Sequence, residues 1–232
     1  MVDVTLTAGQ RRVLEHVRLF RITTQDVLER LYFRGREKNV KSFLQRLRKR
    51  GFLDFAPLTS RRNYYHLTQR GLQLLGAPDL RAGPLKGDSL VERYGILEFC
   101  SRRPGARQKL SKEDFATRFP QLAPRNMPGT CYYVDAEEEP RRYGWVYVHR
   151  SAPAWRVQTR VVQNILGRRY AHEEWKRVID AGQFAVAVVS STAQKSAELR
   201  EIFSGDWPQV TFRFEVIEEL LPILDRQVED AR

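Results

Sequence analysis

Glu37-Lys38-Asn39-Val40-Lys41-Ser42-Phe43-Leu44-Gln45-Arg46-Leu47-Arg48-Lys49-Arg50-Gly51, residues 37–51, decides how the first third of the chain is read. Val40, Phe43, Leu44 and Leu47 recur at the three- and four-residue spacing of one helix face, and Gly51 supplies the stop. With that face inward, Lys38, Lys41, Ser42, Gln45 and Lys49 point outward, and Arg46, Arg48 and Arg50 flank the apolar stripe. Upstream, Thr7 precedes a helical pattern with Val13, Leu14, Val17 and Phe20 on one side. Thr23 or Thr24 can cap a second helix with Val27, Leu28 and Leu31 inward. Downstream, Phe52–Phe55 and Asn63–Leu67 are β-prone runs around Pro57-Leu58-Thr59-Ser60-Arg61-Arg62, and Thr68-Gln69-Arg70-Gly71-Leu72 opens a short fourth helix ending near Gly76. Three helices, a hairpin and a closing helix describe a winged helix-turn-helix over residues 1–76.

The charge supports that division. The 232 residues carry a formal net charge of +12. Residues 1–86 hold 18 Lys+Arg and 7 Asp+Glu, a net of +11, whereas residues 87–232 hold 22 and 21, a net of +1. Basicity concentrated in one module is what a polyanion-binding unit joined to a near-neutral one would show. A hydrophobic content of 42% excludes wholesale disorder. No apolar run approaches the roughly 20 residues that span a bilayer. Met1–Thr5 lacks the layout of a signal peptide, so a cytoplasmic location without membrane contact is expected. Cys100 and Cys131 are lone thiols expected to be small buried hydrophobes, and with four scattered histidines no disulfide, metal site or cofactor is expected.

In a helix-turn-helix the helix after the turn enters the major groove of double-stranded DNA. Lys38, Lys41, Ser42, Gln45 and Lys49 then face base edges and phosphates, since Gln pairs with adenine, Ser with several edges and Lys with guanine or phosphate. Arg46, Arg48 and Arg50 would grip phosphates. Arg61 and Arg62 sit at the hairpin tip, where a wing meets the minor groove or backbone. Thr23, Thr24 and Gln25 open the second helix, where hydroxyls and backbone N–H groups could hold a phosphate. Of the pair Tyr64-Tyr65, one ring is expected to pack beneath the hairpin as core. A basic helix that is merely solvated is the plainer reading, and the combination of helix pattern, basic third helix and basic hairpin tip weighs against it.

The Gly/Pro-rich stretch Gly76–Pro84 reads as a linker, placed over residues 77–87. Residues 88–232 alternate helix and strand and are expected to form an α/β domain. Helices are expected at Asp88–Ser101, from Ser111, at Ala154–Tyr170, Glu173–Ala181 and Thr192–Phe203, with a last one carrying Val216, Ile217, Leu220, Leu221 and Leu224. Strands are expected at Cys131–Asp135, Tyr143–Val148, Phe184–Val189 and Val210–Phe214. Val161, Val162, Ile165 and Leu166, with the closing-helix leucines, could be core or a dimer interface, and core is favoured.

Thr7–Leu14, the run to Phe33, Leu44–Leu53 and Tyr64–Gly71 together resemble the replication-relaxation family of plasmids and other mobile elements. That resemblance implies an α+β chain, a winged helix followed by an α/β region similar to restriction-endonuclease-like folds. Nucleases of that fold hold a metal with an acidic residue near one strand and Glu-x-Lys or Glu-x-Asp on the next. The matching positions here are Pro128-Gly129 and Tyr147-Val148-His149, and neither carries a carboxylate. The resemblance therefore implies a degenerate, non-catalytic nuclease-like domain. His149 and Tyr147 share a strand face but lack a carboxylate or nucleophile partner, and Gly167-Arg168-Arg169 lacks phosphate-loop spacing.

The sequence thus leads to a non-catalytic, sequence-specific DNA-binding protein. It would act as a homodimer, as a transcriptional regulator or a replication or transfer accessory factor, with the second domain serving dimerisation or an effector. Two alternatives stand beside it, a metal-dependent nuclease built on Asp135 and a winged-helix adaptor for a partner protein.

Overall fold

The computed structural model describes residues 5–33, 37–118, 120, 132–205, 207 and 209–230, excepting the side chains of 37, 38, 112, 118, 170, 171 and 227–230. The chain is a mixed α+β architecture in two compact units, Met1–Leu97 with Glu229–Arg232, and Glu98–Val228. The sequence-based boundary at 77–87 lies upstream of this division, which falls within a helix.

The first unit opens with α1 (Ala8–Phe20), started by a reciprocal capping box. The Gln10 amide donates to Thr7 Oγ1 at 3.2 Å, and the Thr7 amide donates to Gln10 Oε1 at 3.1 Å. Thr24 caps α2 (Gln25–Leu28), which runs on into a π-helical turn, Glu29–Phe33. Then follow α3 (Glu37–Lys49), the strands β1 (Leu53–Pro57) and β2 (Asn63–Leu67), and α4 (Gln69–Leu74) capped by Thr68. The strands pair antiparallel, Leu53 opposite Leu67 and Pro57 opposite Asn63. Gly51 takes φ +72 between α3 and β1, the left-handed geometry that ends a helix without a Cβ penalty. Val13, Leu14, Val17, Leu28, Val40, Leu44, Leu47, Phe52, Leu53, Leu67 and Leu72 form one apolar core, with Phe43 only partly buried at its edge.

The stretch expected as a linker is stapled to the hairpin. Tyr64, the buried ring of its pair, donates its hydroxyl to the Leu85 carbonyl at 2.8 Å and accepts from the Leu85 amide at 2.9 Å. The Gly83 amide donates to the Leu67 carbonyl, and the Gln69 side-chain amide to the Pro78 carbonyl. A phenol able to donate and accept at once fixes a strap that composition alone reads as loose.

Helix α5 (Gly87–Ser101) spans the division between the units. The second unit contains its last residues, then β3 (Arg107–Lys109), α6 (Lys112–Arg118), β4 (Tyr132–Asp135), β5 (Arg142–Val148), α7 (Ala154–Ala171), α8 (Glu173–Asp180), β6 (Phe184–Ser190), α9 (Ala193–Ile202), β7 (Val210–Val216) and, as far as Val228, α10 (Leu221–Asp230). Val216, expected on the closing helix, ends β7 instead. The sheet has the order β3-β4-β5-β6-β7, with β4 antiparallel to β3 and β5, and β5, β6 and β7 parallel. Every residue of β6 is buried, as a central parallel strand requires. One face carries the large side chains: Trp175 of α8 meets Phe184, Phe203 stacks on Phe212, and the Arg168 guanidinium of α7 lies 5.1 Å from the ring centre of Tyr132 and 5.2 Å from that of Trp145.

The opposite face is lined by Gly144, Ala185 and Ala187. A Cβ on Gly144 would sit 2.1 Å from the Tyr133 ring, which Phe99 of α5 meets edge-on at 5.0 Å. Cys100 is buried, and Cys131 lies outside the described residues. In α7, Val161 and Ile165 are core, as are Ile217, Leu220 and Ile223 near the C-terminus. No helix among the described residues is long and apolar enough to cross a membrane.

Candidate nucleic-acid interface

Helix α3 sorts its residues by face. Val40, Leu44 and Leu47 are buried, whereas Lys41, Ser42, Gln45, Arg46 and Lys49 are exposed. Ser42, Gln45 and Lys49 fall along one outward line at three- and four-residue steps. No acidic residue occurs from Lys38 to Arg50. The Ser42 hydroxyl donates to the Asn39 carbonyl at 3.2 Å. Lys38 continues the line in sequence, and its side chain lies outside the described residues.

Two expected contacts, Thr23 and Thr24, are buried inside the fold, and a third, Arg62, has an ion-pair partner at the surface. Thr23 is fully buried: its backbone exchanges both hydrogen bonds with Tyr65, adding a one-residue bridge beside β2, and its hydroxyl lies 3.1 Å from His16 Nε2. Thr24 is also buried, its hydroxyl accepting from the Val27 amide as the cap of α2. Neither hydroxyl reaches a surface where phosphate could lie. Arg62 is half-buried and forms an ion pair with Asp26 at the start of α2, tying the hairpin turn to that helix. Gln25 is half-buried beside it. Arg61 is exposed on the turn, its amide donating to Thr59 Oγ1 at 3.4 Å.

Arg48, expected to grip phosphate, also reaches the hairpin. Its guanidinium lies 4.0 Å from the centre of the Phe55 ring on β1. Tyr65 on β2 lies next to Phe55, its ring tilted by 49° with the centres 6.4 Å apart. Burial raises the Tyr65 phenol above its ordinary range, with the Arg48 charge opposing that shift. Arg48 thus binds the inner flank of α3 to the hairpin, which fixes the angle between the two. On the other flank Arg50 donates to Gln10 Oε1 at 3.2 Å and lies over Phe52.

Between α3 and β1 runs an open groove of about 480 Å³ lined by Gln45, Arg48, Lys49, Leu53, Asp54 and Thr68. Asp54 is its acidic edge, with one carboxylate oxygen accepting from the Phe55 amide at 2.8 Å. A carboxylate in such a groove can accept from the amino group of cytosine. Asp54 and the exposed Phe55 were not singled out from the sequence, because an acid in a short strand carries no signal until its neighbours across the groove are known.

In the second unit, Asp135 is 1% exposed and ion-paired with Arg213 of β7, and it accepts the Glu137 amide at 3.1 Å. Arg107 pairs with Glu137 and with Glu215 at 3.0 Å, and Arg102 pairs with Glu219 at 2.7 Å. Burial works to lower the Arg213 guanidinium, but its hydrogen bond to Asp135 and the charges of Asp135, Glu137 and Glu138 outweigh it and raise its pKa. A metal at Asp135 would have to displace this partner. Of the positions matching the nuclease pattern, Pro128-Gly129 lies outside the described residues. Tyr147 and His149 are buried, and the His149 Nε2 lies 2.8 Å from the Ala152 carbonyl. Among the described residues no cluster of three or more His, Cys, Asp or Glu could hold a metal ion.

Comparison of the chain with protein-family models, with curated proteins and with solved structures gave no match.

Proposed function

We propose that the first unit is a winged helix-turn-helix that binds double-stranded DNA, with α3 in the major groove and the β1–β2 hairpin as the wing. The observation that carries this reading is the outward face of α3. An acid-free line of Ser42, Gln45 and Lys49, flanked by Lys41 and Arg46, lies beside a hairpin whose turn exposes Arg61. Direct readout is assigned to Ser42, Gln45 and Lys49, with Asp54 across the groove, and backbone contact to Lys41, Arg46 and Arg61. Arg48 and Arg62 hold the geometry.

The protein is read as a non-catalytic cytoplasmic homodimer, a regulator of transcription or an accessory factor in replication or transfer, because paired half-sites are read by two copies of such a module. The mixed five-stranded sheet is compatible with the restriction-endonuclease-like part of the resemblance to the replication-relaxation family. The engagement of Asp135 with Arg213 argues against the nuclease alternative, since the carboxylate on which it rests is already neutralised.

Selection of bound sequences from a random duplex pool, followed by titration of the preferred site, tests the reading. Gln45→Ala is expected to reduce discrimination between preferred and random duplex by about 1–3 kcal/mol, the worth of one bidentate pair. Arg61→Ala is expected to weaken binding to all duplexes alike and make the salt dependence shallower by roughly one phosphate contact. Undiminished discrimination by Gln45→Ala would overturn the assignment of α3.

A further inference from the structure

The near-neutral charge of the second unit conceals a segregated one. From Arg141 to His172 the sequence carries seven arginines and no Asp or Glu. The structure divides five of these by role. Arg142 pairs with Glu138, Arg169 pairs with Asp180, and Arg168 is buried against aromatic rings. Arg156 and Arg160 remain on the exposed face of α7 and make no ion pair among the described residues.

That face is continuous. Trp155, Arg156, Thr159, Arg160, Gln163 and Gly167 are all exposed, whereas Val157, Val161, Ile165 and Arg168 on the opposite side are buried. Trp155 is 59% exposed, the most of any large hydrophobic side chain among the described residues. The Arg156 guanidinium lies 5.2 Å from the Trp155 ring centre, and Arg160 lies 6.0 Å from that of Tyr147. Burial raises the Tyr147 phenol, with Arg160 and then Arg150 opposing it, so a third arginine contributes to the same electrostatic neighbourhood. The first turn of α7 contains no acid, and Pro153 offers no side-chain cap, so the positive end of the helix dipole adds to the same charge.

We infer that the exposed face of α7 is a second binding surface for the phosphate backbone of duplex DNA, separate from α3 and not dependent on α3 being the reader. Guanidinium groups resting on aromatic faces are held in place at small entropic cost and still offer their N–H edges to phosphate oxygens. Gln163 and the Trp155 indole N–H extend the same row of donors. Charge complementarity selects this partner over a second copy of the chain. A two-fold contact through this face would set Arg156 and Arg160 against their own copies, with no carboxylate on the face to compensate. Nothing on the face reads bases, so its contribution is independent of sequence and sensitive to salt.

The experiment uses the full chain and a random-sequence duplex, with affinity followed against salt concentration. The slope of log affinity against log salt falls by about 0.9 for each phosphate neutralised. Arg156→Ala/Arg160→Ala is therefore expected to make the slope shallower by about 2 while leaving the thermal midpoint unchanged. A second protein, Lys41→Ala/Gln45→Ala/Arg46→Ala/Lys49→Ala, is expected to retain salt-sensitive binding that the added Arg156→Ala/Arg160→Ala pair removes. An unchanged slope in the α7 double variant overturns this inference and leaves the α3 reading standing. Binding that survives the α3 variant undiminished but is lost with the α7 pair supports this inference and overturns the α3 reading. A parent protein that binds no duplex overturns both. A change in oligomeric mass with no change in slope assigns the face to self-association and overturns the inference.

Discussion

The two units contain comparable numbers of basic side chains and use them in opposite ways. In the first, Lys41, Arg46, Lys49 and Arg61 are exposed, and the engaged cations Arg48, Arg50 and Arg62 lie close to them, at contacts between α3, the hairpin and the neighbouring helices. In the second, Arg107 and Arg213, on the two outermost strands β3 and β7, are drawn into pairs with Asp135, Glu137 and Glu215. Net charge distinguishes the units by arithmetic, but burial distinguishes what the charge does. A cation surrounded by carboxylates orders the fold, and one left outward is available to a polyanion. The α7 face shows that the distinction belongs to surfaces rather than to whole units.

The sharpest way to break that comparison is to remove one cation from each unit. Arg213→Ala leaves the Asp135 carboxylate buried without its partner, a kind of change that costs about 3–5 kcal/mol. Lys49→Ala removes an exposed charge and should stay within about 0.5 kcal/mol. Urea unfolding of the two variants checks this. Equal effects would mean that the buried pairs carry no structural weight.

Much of the fold was legible because its signals are local. The apolar spacing of Val40, Leu44 and Leu47 placed α3 to within a residue of its end, and Thr7, Ser111 and Thr192, which open helical patterns in the sequence, cap those helices in the structure. The continuous apolar run Phe184–Val189 gave β6. What escaped depends on partners distant in the chain. Strand β3 was missed because Arg107 and Lys109, both buried, occupy the inward positions that usually hold apolar residues. Thr23 and Thr24 looked like phosphate ligands because a hydroxyl ahead of a helix reads the same whether it faces solvent or His16. The exposed face of α7 escaped because a count over residues 87–232 averaged its arginines with distant carboxylates.

A second, smaller effect probes the boundary between ordering and reading within the first unit. Arg48→Ala should cost about 0.5–2 kcal/mol, the worth of a guanidinium over one aromatic ring. It should also weaken binding of preferred and random duplexes together, because the hairpin loses its fixed angle to α3. Gln45→Ala, three residues earlier, should leave stability unchanged and affect preference alone. Thermal melts with duplex titration separate the two, and a stability loss in Gln45→Ala but not in Arg48→Ala would reverse their assignments.

The smallest expected effect concerns His149, which shows that a cationic form can be excluded as well as paired. Its Nε2–H donates to the Ala152 carbonyl, so the neutral ring presents a buried Nδ1 that has no hydrogen-bond partner among the described residues. Protonation would place a new N–H there. Burial is the main cause that lowers the His149 pKa below 6.5; Lys195 adds to it, and the Ala152 hydrogen bond and Glu198 act against it. Between that lowered value and 6.5 the unfolded chain binds more protons than the folded one, so stability rises with pH across this window. The contribution is fully present above 6.5 and is lost as pH falls through 6.5 toward the folded value. Glu198, held below 4.5 chiefly by its hydrogen bond from Lys195, stays ionised at the upper end of the window and adds no slope there. Midpoints of urea unfolding for the parent and His149→Gln, measured between about pH 7.5 and 5.5, should therefore converge as the pH falls. Parallel profiles would show that His149 carries its proton equally well folded and unfolded, and that this site belongs with the solvated cations of the first unit.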